Sequence, residues 1–176
     1  MAESIQYEQL SAISKVIGTV DAEIKDILGS FASGNTLGEV AGIDKSQLET
    51  IYKMASQLFE SGSYAKSHDI FSSLCFFCHN DKRYWFGLGA SCEKQKNYPS
   101  AIRAYMSACM QDMNDPRPRL QIALCQVKMD DKVKAIQTLE SLLSIEPSEH
   151  INNADKMLIK KANTLLATLL DTTTEK

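Results

Sequence analysis

DKRYWFGLGASCEKQKNYPSAIRAYMSAC, residues 81–109, decides how the chain is read. Trp85 is followed by Leu88-Gly89 and then Cys92, and further on by Ala101 and Tyr105. Bulky residues three and four apart, with a small residue among them, mark helices that approach one another closely. One period upstream, the same slots hold Ile51, Met54-Ala55, Leu58, Ser67 and Phe71. One period downstream they hold Arg119, Ile122-Ala123, Gln126, Ala135 and Leu139, with Pro147 beyond. The frames are 48–81, 82–115 and 116–149, without insertions.

The pattern Trp-x-x-Leu-Gly-x-x-Tyr, then Ala-x-x-x-Phe, then Pro, at a period of about 34, is that of tetratricopeptide repeats. Within 82–115 only the Tyr slot departs, where Cys92 stands. Ala55, Gly89 and Ala123 fill the small slot of each first helix, and Ser67, Ala101 and Ala135 that of each second helix. Each helix pair alone leaves an apolar face open, so the repeats must stack. Ser61-Gly62-Ser63, Lys96-Asn97-Tyr98-Pro99 and Asp130-Asp131 supply turns between the paired helices. Ser46-x-x-Glu49 reads as a capping box opening the first repeat, and Pro116 and Pro118 suit the first turn of the third. The expected fold is all-α, a tetratricopeptide-repeat superhelix of three repeats with an N-terminal helical arm and a C-terminal capping helix.

The flanks differ from the repeats. Residues 1–47 carry seven acids against three lysines, a balance of −4 that accounts for the net charge of −3. Ile13, Val16, Val20, Ile24 and Ile27 recur there at helical spacing, an amphipathic stripe expected to drive self-association. Residues 150–176 read as one helix over about 152–170 that covers the last repeat, ending in a frayed tail.

Composition narrows the function. The chain of 176 residues is 44% apolar and 23% charged, so it is long enough for one packed domain. It has no apolar run of the roughly 20 residues that a membrane span needs, and no basic excess for nucleic acid. Glu3 and Glu8 stand where an export signal wants positive charge, which points to the cytoplasm. The five cysteines, odd in number, read as reduced thiols. Cys75-x-x-Cys78-His79 matches a haem-attachment pattern, but it lies at a helix end with no second ligand pair for zinc, so no cofactor or metal is expected. No phosphate loop, nucleophile elbow or zinc-protease motif is present, and the three histidines are scattered, so no catalytic residues are expected.

The repeat pattern leaves a second stripe unexplained. Tyr52, Ser56 and Phe59 in the first repeat, Phe86, Ala90 and Glu93 in the second, and Leu120, Leu124 and Val127 in the third share the adjacent helix face. A trough lined by Tyr52, Phe59, Phe86, Leu120 and Leu124 is more apolar than solvation favours, which marks a partner surface. Arg83, Lys94, Arg117 and Lys128 would form its basic rim.

With these residues in view, the chain resembles the class II chaperones of bacterial type III secretion systems, which hold hydrophobic translocator proteins before export. The matching stretches are residues 48–75, 81–109 and 115–139, and Gly87–Ala90 and Asp115–Pro118 fall in phase with the repeats. Lys96 replaces the usual turn glycine, and Gln121 stands where a histidine is common. The resemblance implies that an extended segment of a translocator lies in the concave groove, with Tyr52, Phe59, Tyr64 and Phe86 taking its anchors and Ala90 leaving room. It further implies a homodimer in the absence of cargo, and admits a transcriptional activator as another partner. A generic tetratricopeptide adaptor that docks another protein is the alternative.

Overall fold

The computed structural model describes Lys25, residues 29–30, 33–144 and 153–174. The chain divides into two units, Met1–Asp44 and Lys45–Lys176. In the first, α1 (Leu37–Val40) opens on a reciprocal capping box, the Thr36 hydroxyl accepting from the Glu39 N–H while the Glu39 carboxylate accepts from the Thr36 N–H. The stripe Ile13, Val16, Val20, Ile24 and Ile27 lies outside the described residues.

The second unit is built from α2 (Lys45–Glu60), α3 (Tyr64–Phe77), α4 (Lys82–Lys94), α5 (Tyr98–Gln111), α6 (Pro116–Lys128), α7 (Lys132–Leu143) and α8 (Asn153–Thr174). Each helix packs on the next from α2 to α8, α8 also reaches back to α6, and the described residues contain no strand. This is the all-α repeat superhelix that the spacing predicts.

The hairpin turns repeat at the atomic level. Gly62, Lys96 and Asp130 each take a left-handed conformation, with φ of 81°, 61° and 59°. In each turn the following N–H bonds back five residues: Ser63 to the Leu58 carbonyl, Asn97 to Cys92, and Asp131 to Gln126. The left-handed residue itself bonds back three, to Phe59, Glu93 and Val127. These paired bonds close the last carbonyls of α2, α4 and α6 in Schellman geometry. The next residue in two of the turns then caps the following helix, Asn97 accepting from the Ser100 N–H and Asp131 from the Lys134 N–H.

Asp81 and Asp115 open α4 and α6 in the same manner, each accepting from the N–H two residues on. Ser46 does not cap α2. That helix begins at Lys45, so Ser46 is its second residue, and the Glu49 carboxylate reaches Arg83 of α4 instead. The C-terminal helix runs through Thr174, so residues 171–174 are helical where the composition predicts fraying.

The small slots permit close approach. A Cβ on Gly87 would lie 2.4 Å from the Phe71 ring tip, and one on Gly89 would lie 2.7 Å from Tyr105 ring carbons. Rings from α3 and α5 therefore seat directly on the α4 backbone. Ser67 and Ser91 are fully buried between helices. Ser67 donates to the Ala55 carbonyl, Ser91 to the Gly87 carbonyl, and their oxygens lie 3.2 Å apart, so both hydroxyls have partners.

Candidate functional site

The first helices α2 and α4 turn their free faces, and α6 its first turn, toward a common cavity of about 260 Å³. Tyr52, Ser56 and Phe59 come from α2, and Phe86, Gly87 and Ala90 from α4. Phe71 and Ala108 reach it from the second helices, and Asp115, Arg117 and Pro118 close it from the start of α6. Tyr52, Phe59 and Phe86 are half-buried, each held at one side with a face left toward the cavity. Tyr52 meets Phe71 edge-on and Tyr84 at a tilt, with centroids 6.0 and 5.8 Å apart. Phe59 packs edge-on against Tyr64 at 5.3 Å, and Phe86 leans at a tilt on Tyr105 at 5.3 Å. Such supports fix ring positions before any ligand arrives.

The cations at the cavity are all engaged. Arg83 binds Asp81 and Glu49 and lies 4.8 Å over the Tyr52 ring. Arg117 binds Asp115 and lies 5.8 Å over Phe86. Lys82 bridges Asp112 at 2.7 Å and Asp115 at 3.0 Å. Burial of Asp115 opposes its ionisation, but the bonds from Arg117 and Lys82 outweigh it and hold the carboxyl at about 2. Chiefly through Asp112, the same cluster raises the Lys82 ammonium above its ordinary value. The cavity thus offers apolar rings whose neighbouring cations the chain has already paired, with the exposed carboxylate of Glu60 at the end of α2 as the one lining charge outside these pairs among the described residues.

No family model matches the chain. The "Low calcium response locus protein H" of Yersinia pestis is 30% identical to it over 138 residues, 78% of each chain. The chain belongs to the class II translocator chaperones of type III secretion. Solved translocator chaperones have the same fold. SycD of Yersinia enterocolitica, in complex with a peptide of the translocator YopD, superposes with a TM-score of 0.68 at 25% identity, over 74% of this chain and 98% of that one. PcrH of Pseudomonas aeruginosa, in complex with the chaperone binding region of PopD, gives 0.67 at 26% identity, over 75% and 97%.

In this translocator chaperone, seven of the residues expected at the trough from sequence line one cavity: Tyr52, Ser56, Phe59, Arg83, Phe86, Ala90 and Arg117. Tyr64 stands behind Phe59 as its edge-on support and is not in the lining. Lys94 is exposed on the last turn of α4, also outside the lining. Leu120 and Leu124 require correction. Leu120 is 1% exposed in a core cluster with Leu139, Ala162 and Leu169, and Leu124 packs against that cluster. The reason is α8, which lies over α6 and α7 and covers the α6 face that the repeat pattern alone leaves open. The basic rim is corrected too, because Arg83, Arg117 and also Lys128, which binds Glu93 at 2.7 Å, are paired within the chain.

Sequence reasoning did not assign Phe71, Lys82, Gly87, Asp115 and Pro118 to the site. A signal for some of them exists, since Gly87–Ala90 and Asp115–Pro118 stand out in the sequence, but the spacing points to helix packing and helix opening there rather than to a cavity wall. Cys75 is buried in α3, and burial pushes its thiol up to about 12, while Cys78 caps the helix and donates to Asn80. Neither lines the cavity.

Proposed function

We propose that this chain captures an extended, apolar-anchored segment of a translocator protein in the cavity formed by α2, α4 and α6, and so keeps its client soluble until export. The observation that carries the reading is the set of pre-supported, half-buried rings Tyr52, Phe59 and Phe86 around one cavity. Each large apolar side chain buried there contributes about 1.5–3 kcal/mol. Because the rings are already fixed, the cost of ordering falls on the client alone. Tyr64 acts through Phe59, holding it, and Ala90 leaves space for the client's main chain. Lys94, Leu120 and Leu124 have no part in binding the segment.

The reading is non-enzymatic and places the chain in the bacterial cytoplasm, with release driven by an outside agent. No helix is long and apolar enough to cross a membrane among the described residues. Without cargo the chain forms a homodimer through the stripe Ile13, Val16, Val20, Ile24 and Ile27, and a transcriptional activator is a further partner. The adaptor alternative, in which a basic rim grips a carboxylate-bearing tail, is disfavoured because Arg83, Arg117 and Lys82 are bound to carboxylates of the chain itself.

The test is co-expression with a cognate translocator. Tyr52→Ala and Phe86→Ala each remove about 1–2 kcal/mol of binding, a loss of about five- to thirtyfold in affinity. Helical content stays unchanged. A folded double variant that captures its client as well as wild type would refute the assignment.

A further inference from the structure

A second hollow, about 470 Å³, lies between α5 and α7 with α6 as its floor, and it shares no lining residue with the cavity described above. Its wall on the α5 side carries three methionines, Met106 and Met110 on α5 beside Ile102 and Cys109, and Met113 just past its end. Met106, Met110 and Met113 are 54%, 76% and 68% exposed, a concentration of large apolar side chains in water that a free surface does not favour. Unbranched thioethers repack at low cost around an incoming apolar face. The α7 wall is polar and uncharged, and Ile122 supplies an apolar floor.

Arg119 is the single charged residue of the lining. Its guanidinium donates to the Met113 carbonyl, and no carboxylate of the described residues pairs with it. The inner cavity is different, since Lys82, Arg83 and Arg117 are each bound to Asp or Glu. A net-positive apolar trough is thus present on a chain whose net charge is −3. Its walls are two helices, the geometry that receives a third helix by its i, i+3, i+4 stripe. Charge complementarity selects an acidic one.

We propose that the α5–α7 trough docks an acidic amphipathic helix of a second protein, its apolar face on Met106, Met110 and Met113 and a carboxylate on Arg119. The inference does not depend on the client-capture reading, because it uses other residues.

The probe is a designed helical peptide of about 18 residues, long enough to hold a helix, with leucines at helical spacing and Glu along one flank; a twin carries Lys in place of Glu. Both are titrated into the full chain labelled at its methionine methyls and read by NMR and fluorescence anisotropy. The Glu peptide shifts the methyls of Met106, Met110 and Met113 and binds about tenfold more tightly than the Lys twin. Met106→Glu with Met110→Glu weakens it about tenfold or more. Arg119→Gln erases the preference between the twins, and decides the matter alone if the methionine variant fails to fold. Tyr52→Ala with Phe86→Ala leaves peptide binding intact, which separates a failure here from a failure of client capture. Unmoved methyls, or a preference that survives Arg119→Gln, would overturn the proposal. Loss of self-association in the methionine variant would assign the trough to a second copy of this chain, and would overturn it equally.

Discussion

Gly89→Ala tests the packing on which the inner face depends. The added Cβ would lie 2.7 Å from Cδ1 and Cε1 of Tyr105 and 3.0 Å from its Cγ. Carbon atoms in contact prefer about 3.5–4.0 Å, so the overlap is close to 1 Å. The ring cannot swing away. Tyr105 is 1% exposed, its hydroxyl donates to Glu93 at 2.9 Å, and Phe86 leans on it at 5.3 Å. Overpacking of this kind costs about 1–3 kcal/mol, and involvement of Cγ places it toward the upper end. Alanine returns about 1 kcal/mol of helix propensity relative to glycine. The net expected loss is about 1–2 kcal/mol, or roughly 2–8 °C in Tm for a chain of this size. Urea unfolding followed by far-ultraviolet circular dichroism should show a lower midpoint with the same slope. Repeating the substitution in a Tyr105→Leu background should recover most of the loss, because the two sites are coupled. The sign is decisive. A Gly89→Ala variant as stable as wild type or more so, with effects that simply add to those of Tyr105→Leu, would refute the close seating of the ring on α4.

Three further outcomes follow from other contacts. Lys96→Gly should stabilise the chain by about 0.5–1 kcal/mol in urea unfolding, since Lys96 holds φ of 61° where a side chain is strained; Gly62→Ala, at φ of 81°, should do the reverse. Asp115 contributes stability that is complete above its ordinary value of 3.8 and is lost as pH falls toward about 2, so Asp115→Asn should be less stable at neutral pH and show a flatter stability profile between those values. Cys75, held as a thiol by burial, should resist alkylation in the folded chain and react only on unfolding, and Cys75→Ser with Cys78→Ser should leave client capture unchanged.

The parts of the fold legible in the sequence are those decided locally. The turns at Gly62, Lys96 and Asp130, the prolines that open α6, and the small slots at Ala55, Gly89 and Ala123 act within a few residues of themselves, and periodicity exposes them. The trough was legible to the extent that its rings sit on first helices. Leu120 and Leu124 misled because they occupy the same repeat slots as Phe86 and Ala90. What separates them is α8, which covers α6 from more than thirty residues further along the chain. The paired state of the rim is likewise non-local in part, since Lys82 reaches Asp112 and Asp115 across the α4–α5 hairpin. Asp81-x-Arg83 and Asp115-x-Arg117 were the available clue, a capping acid two residues before the arginine that it neutralises. The capping box at Ser46 and Glu49 is absent because α2 already begins at Lys45, which puts Ser46 inside the helix and leaves the Glu49 carboxylate to Arg83.

The self-contained ion pairs at the cavity mouth carry a consequence for evolution. On the proposed capture reading, a receptor whose arginines already answer to its own aspartates exerts little selection on acidic letters of what it holds. Under that reading bulk at a few spaced positions is what it chiefly inspects, so client sequences would be free to drift between anchors.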